Sequence, residues 1–226
     1  MDVLVTGADG ELGRSVAQGF RAAGHRVVVS GARRAEVELV AKELDADAVV
    51  CDHADPADLA AARNLFPQQL DAVVIVPGPD RDGSRGSDGI AAEWRCCFDR
   101  TVLAAVLTVH EVGEHLRSGG SIVACDDSTG DSTGDSTGDR APRAAAKAAL
   151  AAWVSSQAAH FGTRGITINA VACGRGAEPG YPGLTTTPLP AATELSRLTV
   201  FLTTPAARRI TGQLLHAGRG AGAVFG

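Results

Sequence analysis

Lys147 stands four residues after Arg143 in the stretch APRAAAKAALAAW, residues 141–153. Residues i and i+4 share one helix face, so the two cationic side chains are expected to reach the same place. Side by side they repel modestly, and a nearby anion would relieve that. A carboxylate from Asp127 or Asp139 would make the pair structural. An anionic group on a ligand would make it a binding site, gripped bidentately by the guanidinium. An ammonium can in addition donate to ligand hydroxyls. A guanidinium stays charged and cannot trade a proton, so Arg143 is no general acid. Few other groups could serve. The chain has one tyrosine, Tyr181, in a loop rich in Gly, Pro and Thr over residues 173–190. Ser128, Ser132 and Ser136 are too weak as acids alone. The six histidines do not cluster, and His110, His115, His160 and His216 read as structural.

A second constellation lies at the N-terminus. TGADGELG, residues 6–13, carries Gly7, Gly10 and Gly13 between an apolar run and a helical pattern. Glycines in that context let the backbone turn sharply and approach a pyrophosphate, while the N-terminus of the helix that follows faces the anion. Arg33 and Arg34 follow the second apolar run, VVVSGARR, with no acidic residue at its end. A guanidinium there suits a 2′-phosphate; the plainer reading is a solvated helix start.

The elements that must position these groups alternate along the chain. Strands are expected at Asp2–Thr6, Arg26–Ser30, Ala48–Cys51, Ala72–Val76, Ser121–Cys125, Ile166–Ala172 and Gln213–His216. Helices are expected at Glu11–Ala23, Glu36–Leu44, Pro56–Phe66, Ala91–Arg117, Ala141–His160 and Thr193–Leu202. The strand runs are rich in Val and Ile without clean alternation, which signals burial on both faces. Such a βαβ series implies a doubly wound, mostly parallel seven-stranded α/β sheet of the Rossmann type, with helices on both faces. The chain reads as one dinucleotide-binding domain over residues 1–226, with no linker. Three stretches break the pattern: the polar Asp80–Gly89, three tandem Asp-Ser-Thr-Gly copies over 127–138, and the loop 173–190. The tandem repeat lacks the ligand spacing and final Glu of a calcium loop and reads as an acidic segment that does not pack.

Bulk properties exclude several classes. A formal charge of −5 with 45% hydrophobic residues gives no basis for nucleic-acid or acidic-membrane binding. No apolar run is long enough for a membrane span, and the first residues lack the form of a signal peptide. Five cysteines without Cys-x-x-Cys spacing point to reduced thiols in a cytoplasmic protein and to no metal site.

Segment 141–153 resembles the active-site helix of the short-chain dehydrogenase/reductase family, where the pattern is Tyr-x-x-x-Lys. Lys147 matches the Lys, and Arg143 holds the Tyr position. Other segments are similar too. VVCDHAD places Asp52 where the family has an Asp that contacts adenine. DAVVIVPG, residues 71–78, matches Asp-x-Leu-Val-Asn-Asn-Ala-Gly without either Asn. ITINAVACG and ITGQLLHAGRG match the segments after the active-site helix and near the C-terminus. The resemblance implies a four-residue active site of Asn, Ser, Tyr and Lys, whose positions fall on Thr101, Asp127, Arg143 and Lys147. It also implies cofactor contacts from Gly7, Gly10, Leu12, Gly13, Arg33, Asp52, Pro77, Gly78 and Lys147. With Arg33 the preferred cofactor is NADP(H), NAD(H) being the alternative. Family members pair as homodimers or homotetramers through the long helix and the Tyr-Lys helix, and Ala144–Ala152 offers a small-residue face. The resemblance implies an oxidoreductase acting on a small carbonyl or alcohol with a non-standard site. The changed site leaves open a redox-silent dinucleotide-binding sensor, scaffold or partner subunit, and more weakly a lyase or isomerase.

Overall fold

Short runs of Val, Ile, Leu and Ala become strands here because both of their faces are covered. Val3, Leu4 and Val5 are each fully buried, although successive side chains point to opposite sides. The computed structural model describes residues 1–78, 87–126, 141–173 and 191–217. The strands are β1 (Asp2–Val5), β2 (Arg26–Gly31), β3 (Asp47–Val50), β4 (Leu70–Ile75), β5 (Leu116–Asp126), β6 (Thr167–Cys173) and β7 (Leu214–Ala217). They form a seven-stranded sheet in the order β3-β2-β1-β4-β5-β6-β7, and every ladder is parallel. The winding reverses between β1 and β4, which opens a crevice at the carboxyl ends of those strands.

The helices are α1 (Glu11–Ala22), α2 (Arg34–Leu44), α3 (Pro56–Ala62), α4 (Ser87–Phe98), α5 (Ala104–Val112), α6 (Ala141–Gly162) and α7 (Ala191–Leu202). One core layer joins Val3, Val5, Val27 and Val29 of the sheet to Leu12, Val16 and Phe20 of α1, Val37 and Val40 of α2, and Leu195 of α7. The other joins Leu4, Val28, Val73 and Ile122 to Leu59 of α3, Val109 of α5, and Leu150 and Val154 of α6. This is the expected doubly wound α/β architecture. Among the described residues, no helix is long and apolar enough to cross a membrane.

The expected long helix over Ala91–Arg117 is not one element. It starts earlier, as α4 at Ser87, and passes through a five-residue π-helical segment, Asp99–Leu103, before α5. It ends in a 3₁₀ turn at Gly113–His115, because Leu116 already pairs with Leu70 as the first residue of β5. No glycine or proline marks the widened turn, and the early strand start depends on pairing with Leu70.

A buried polar network ties the carboxyl ends of β2 and β3 to α5. His53 contacts Ser30 Oγ through Nε2 (2.8 Å) and Thr108 Oγ1 through Nδ1 (2.7 Å), and Cys51 Sγ lies 3.5 Å from both Ser30 Oγ and His53 Nε2. Burial holds the His53 pKa down to about 4 and pushes the Cys51 thiol up to about 11, so both are neutral at pH 7. Unfolding exposes His53 to water, where its ordinary value is 6.5. The unfolded chain therefore binds the extra proton between these values, and stability falls as pH drops from about 6.5 to about 4. Urea denaturation across that range is expected to show the fall, and His53→Gln is expected to flatten it.

Candidate dinucleotide cleft and active site

Close backbone packing sets the first wall of the cleft. Gly7 has φ 60, in the left-handed region, and a Cβ there would overlap the carbonyl of Val76 at the end of β4. A Cβ on Gly13 would overlap the carbonyl of Gly7, so α1 can begin this close to the loop only with glycine. Thr6 fastens the loop across the switch point: its Oγ1 accepts from the Val76 N–H (3.0 Å) and donates to the Val76 carbonyl (3.2 Å). The Ala8 N–H reaches the Ser30 carbonyl at 3.0 Å, which ties the loop to β2. Gly10 is the N-cap of α1 and makes no side-chain cap, and its nearest neighbour for a Cβ is at an ordinary 3.5 Å. The first N–H groups of α1 thus have no cap in front of them, as an anion-binding loop requires. The Leu12 side chain is buried in the core, so what Leu12 can offer a cofactor is its backbone.

Asp52 follows β3. Its N–H donates to Asp58 Oδ2 (2.7 Å) and its Oδ1 accepts from the Ala54 N–H (2.9 Å), while Asp55 caps α3 through the N–H groups of Ala57 (2.8 Å) and Asp58 (3.4 Å). Pro77 is buried after β4, and a side chain on Gly78 would meet open space. Arg33 lies beside the glycine loop. Its guanidinium contacts the Asp9 main-chain carbonyl and stands 3.5 Å from Asp9 Oδ2 and 3.7 Å from Glu36 Oε1.

Lys147 marks the other end of the cleft. Its Nζ lies 3.3 Å from Asp126 Oδ2 at the end of β5, with both side chains largely buried. Arg143 is half-buried one turn earlier on α6. Thr101 is buried within the π-helical segment, which packs against α6. Such segments recur at functional sites because they re-aim the side chains around them. The structure therefore gathers Thr101, Arg143 and Lys147 around α6, while Asp127 lies outside the described residues, as do Asp139 and Tyr181.

Two groups near Lys147 escaped the sequence reading. Among the described residues, Asp126 is the carboxylate observed on the lysine. His216 lies in the same cross-strand row, since β5–β6 register pairs Asp126 with Ala172 and β6–β7 register pairs Ala172 with His216. Paired residues in register point to one face of the sheet. Burial and the Lys147 charge lower the His216 pKa, and Asp126 opposes this. The alternation of β5 carried a signal for Asp126. No local signal places a β7 histidine beside a helix nearly seventy residues earlier.

A family model described as enoyl-(acyl carrier protein) reductase matches residues 7–221. The chain belongs to the short-chain dehydrogenase/reductase family. It is 54% identical over 230 residues to a Mycobacterium tuberculosis protein called "Putative oxidoreductase Rv1856c", with 100% of both chains covered. A Burkholderia cenocepacia short-chain dehydrogenase solved in complex with NADP is 25% identical, with a TM-score of 0.76 over 98% of this chain and 97% of that one. A 3-ketoacyl-ACP reductase from Sinorhizobium meliloti is 26% identical, with a TM-score of 0.76 over 96% of this chain and 97% of that one. The family is one of oxidoreductases on this Rossmann-type sheet.

The glycines of the loop should separate by mutation. Gly13→Ala is expected to destabilise the protein by roughly 2 kcal/mol or more through backbone overlap. Gly10→Ala is expected to leave the melting temperature nearly unchanged while weakening dinucleotide binding. Thermal melts and nucleotide titrations of the two variants check this.

Proposed function

We propose that this short-chain dehydrogenase/reductase binds a nicotinamide dinucleotide across the carboxyl ends of β1, β2, β4 and β5 and acts as an oxidoreductase on a small carbonyl or alcohol. The observation that carries this is Lys147, held by Asp126 at the cleft opposite the glycine loop, where its ammonium can donate to ribose hydroxyls. The glycine wall supports the fit, because it admits a phosphate where a side chain would not. When bound, the nicotinamide supplies or takes a hydride.

The proton is the unusual part. Arg143 stays charged through any turnover and can hold an anionic or carbonyl oxygen but not protonate it. Among the described residues, His216 is a titratable group in electrostatic reach of Lys147, and an imidazole can carry and release a proton. In the reductive direction the His216 imidazolium gives its proton to the substrate oxygen and is recharged from water. General acid catalysis of this kind contributes roughly 10²–10⁴-fold. The second reading, a redox-silent dinucleotide binder, is favoured by Arg143 and Thr101 standing where the family carries its acid and its Asn. On charge alone Arg33 supports NADP(H), the cofactor in the Burkholderia complex. Assembly as a homodimer or homotetramer through α6 is supported by exposed Ala144, Ala148 and Ala152 at four-residue spacing.

The deciding experiment titrates NADH and NADPH by fluorescence and then follows absorbance with a panel of carbonyl substrates. Nucleotide binding with oxidation of a substrate is expected; binding with no turnover on any of them supports the redox-silent reading. For an active enzyme, His216→Asn is expected to lower kcat by about 10²-fold or more and to remove the alkaline limb of the pH profile for reduction, where the imidazolium loses its proton. Arg143→Tyr combined with Asp127→Ser is expected to raise turnover. Light scattering on a size-exclusion column is expected to show a dimer or tetramer, and Ala148→Arg to yield monomers.

A further inference from the structure

We infer that Asp9 is the residue that selects the coenzyme, and that it turns the site toward NAD(H) and away from NADP(H). The inference rests on the reading that the chain binds a nicotinamide dinucleotide, and it names which one.

In a dinucleotide site of this type a carboxylate near the end of the second strand takes the adenosine ribose hydroxyls, whereas an arginine there accommodates a 2′-phosphate. Strand β2 ends in Ser30-Gly31 with no acid, and Arg33 follows. From sequence alone this favours a 2′-phosphate. The fold brings a carboxylate to the same place by another route. The side chain of Asp9, within the glycine loop, lies against the end of β2. A Cβ on Gly31 would stand 2.5 Å from Asp9 Oδ1 and 2.8 Å from Asp9 Cγ. An acid at position 31 and the carboxylate of Asp9 would therefore exclude each other. Gly31 is the vacancy that Asp9 fills.

The hydrogen bonding of that carboxylate is incomplete. Oδ2 accepts from the Arg33 N–H at 3.1 Å, while Oδ1 is buried without a partner. The side chain is 1% exposed. A buried carboxylate oxygen with no donor is costly and calls for an explanation. Ribose offers two hydroxyl donors; a 2′-phosphate offers acceptor oxygens and negative charge. Arg33, whose side chain is 47% exposed, is the group that turns aside to admit the ribose.

The surrounding charge points the same way. Each nearby guanidinium already faces a carboxylate: Arg33 faces Asp9 and Glu36, Arg34 faces Glu38 at 3.0 Å, and Arg14 faces Glu43. The hollow between α1 and α2 is lined by Asp9, Glu11 and Glu36 with Arg14 as the cation. A 2′-phosphate entering here meets a buried like charge, and such juxtapositions are strongly unfavourable at short range.

The test is direct binding by isothermal titration, with ADP-ribose and 2′-phospho-ADP-ribose beside NADH and NADPH so that the ribose site is read without the nicotinamide. The wild-type protein is expected to bind NADH and ADP-ribose tighter than their 2′-phosphorylated counterparts by ~tenfold or more. Asp9→Asn keeps the shape and removes the charge. It is expected to lose affinity for NADH, gain it for NADPH, and close or reverse the ratio. Arg33→Ala is expected to leave the preference for NADH in place. Circular dichroism and a thermal melt establish that each variant is folded; should Asp9→Asn not fold, the wild-type ratio and Arg33→Ala carry the test. Tighter wild-type binding of NADPH overturns the inference and leaves dinucleotide binding intact. An unchanged ratio in folded Asp9→Asn overturns it as well. Absence of binding by all four ligands overturns the dinucleotide reading itself.

Discussion

Everything at the cofactor end depends on the backbone of the glycine loop lying against two other backbones. Gly7 must pass under the end of β4, and α1 must start against the Gly7 carbonyl, where Gly13 leaves no Cβ. Thr6 then locks this arrangement to Val76 by a paired hydrogen bond. These contacts join β1, β4 and α1 at the point where the winding reverses, so the crevice and the helix N-terminus that faces it are made by one packing constraint. The residues after β2 and β3 are positioned relative to that junction. Asp9 reaches β2 only because the loop between Gly7 and Gly13 is held there.

The chemical end is built on a different principle. Two cations on one face of α6 approach the ends of β5 and β7. Asp126 supplies compensating charge at 3.3 Å from Lys147. The π-helical segment carries Thr101 to the same helix. This frame is the family's. Lys147 pairs with Asp126, Arg143 offers charge without a transferable proton, and His216 comes from the far edge of the sheet.

Much of the fold was legible because it is local. The apolar runs that become β1, β2, β4 and β6 and the helical patterns between them depend on neighbours a few residues apart. The long helix was misread because Asp99–Leu103 has no glycine or proline to mark where its backbone widens, and because Leu116 joins β5 through pairing with Leu70, a partner 46 residues away. The glycine loop, Lys147, Arg143 and Thr101 could be located by spacing and resemblance. Asp126 ends β5 and was passed over, because its partner Lys147 lies on a helix that only the fold brings to that strand end. Nothing in the sequence around Asp52 singles out His53, yet it is the buried hub of a network with Ser30 and Thr108.

The sequence by itself determined the parallel α/β sheet, the place of the glycine loop and the arginine at position 143. Those follow from periodicity, glycine spacing and residue type, which are properties of short segments. Only the tertiary structure decided that Asp9 stands beside Gly31, that Arg33 faces two carboxylates, and that Asp126 and His216 share a row beneath Lys147. Electrostatics acts through space, so the character of a charged group is set by what the fold brings next to it and not by what precedes it in the chain.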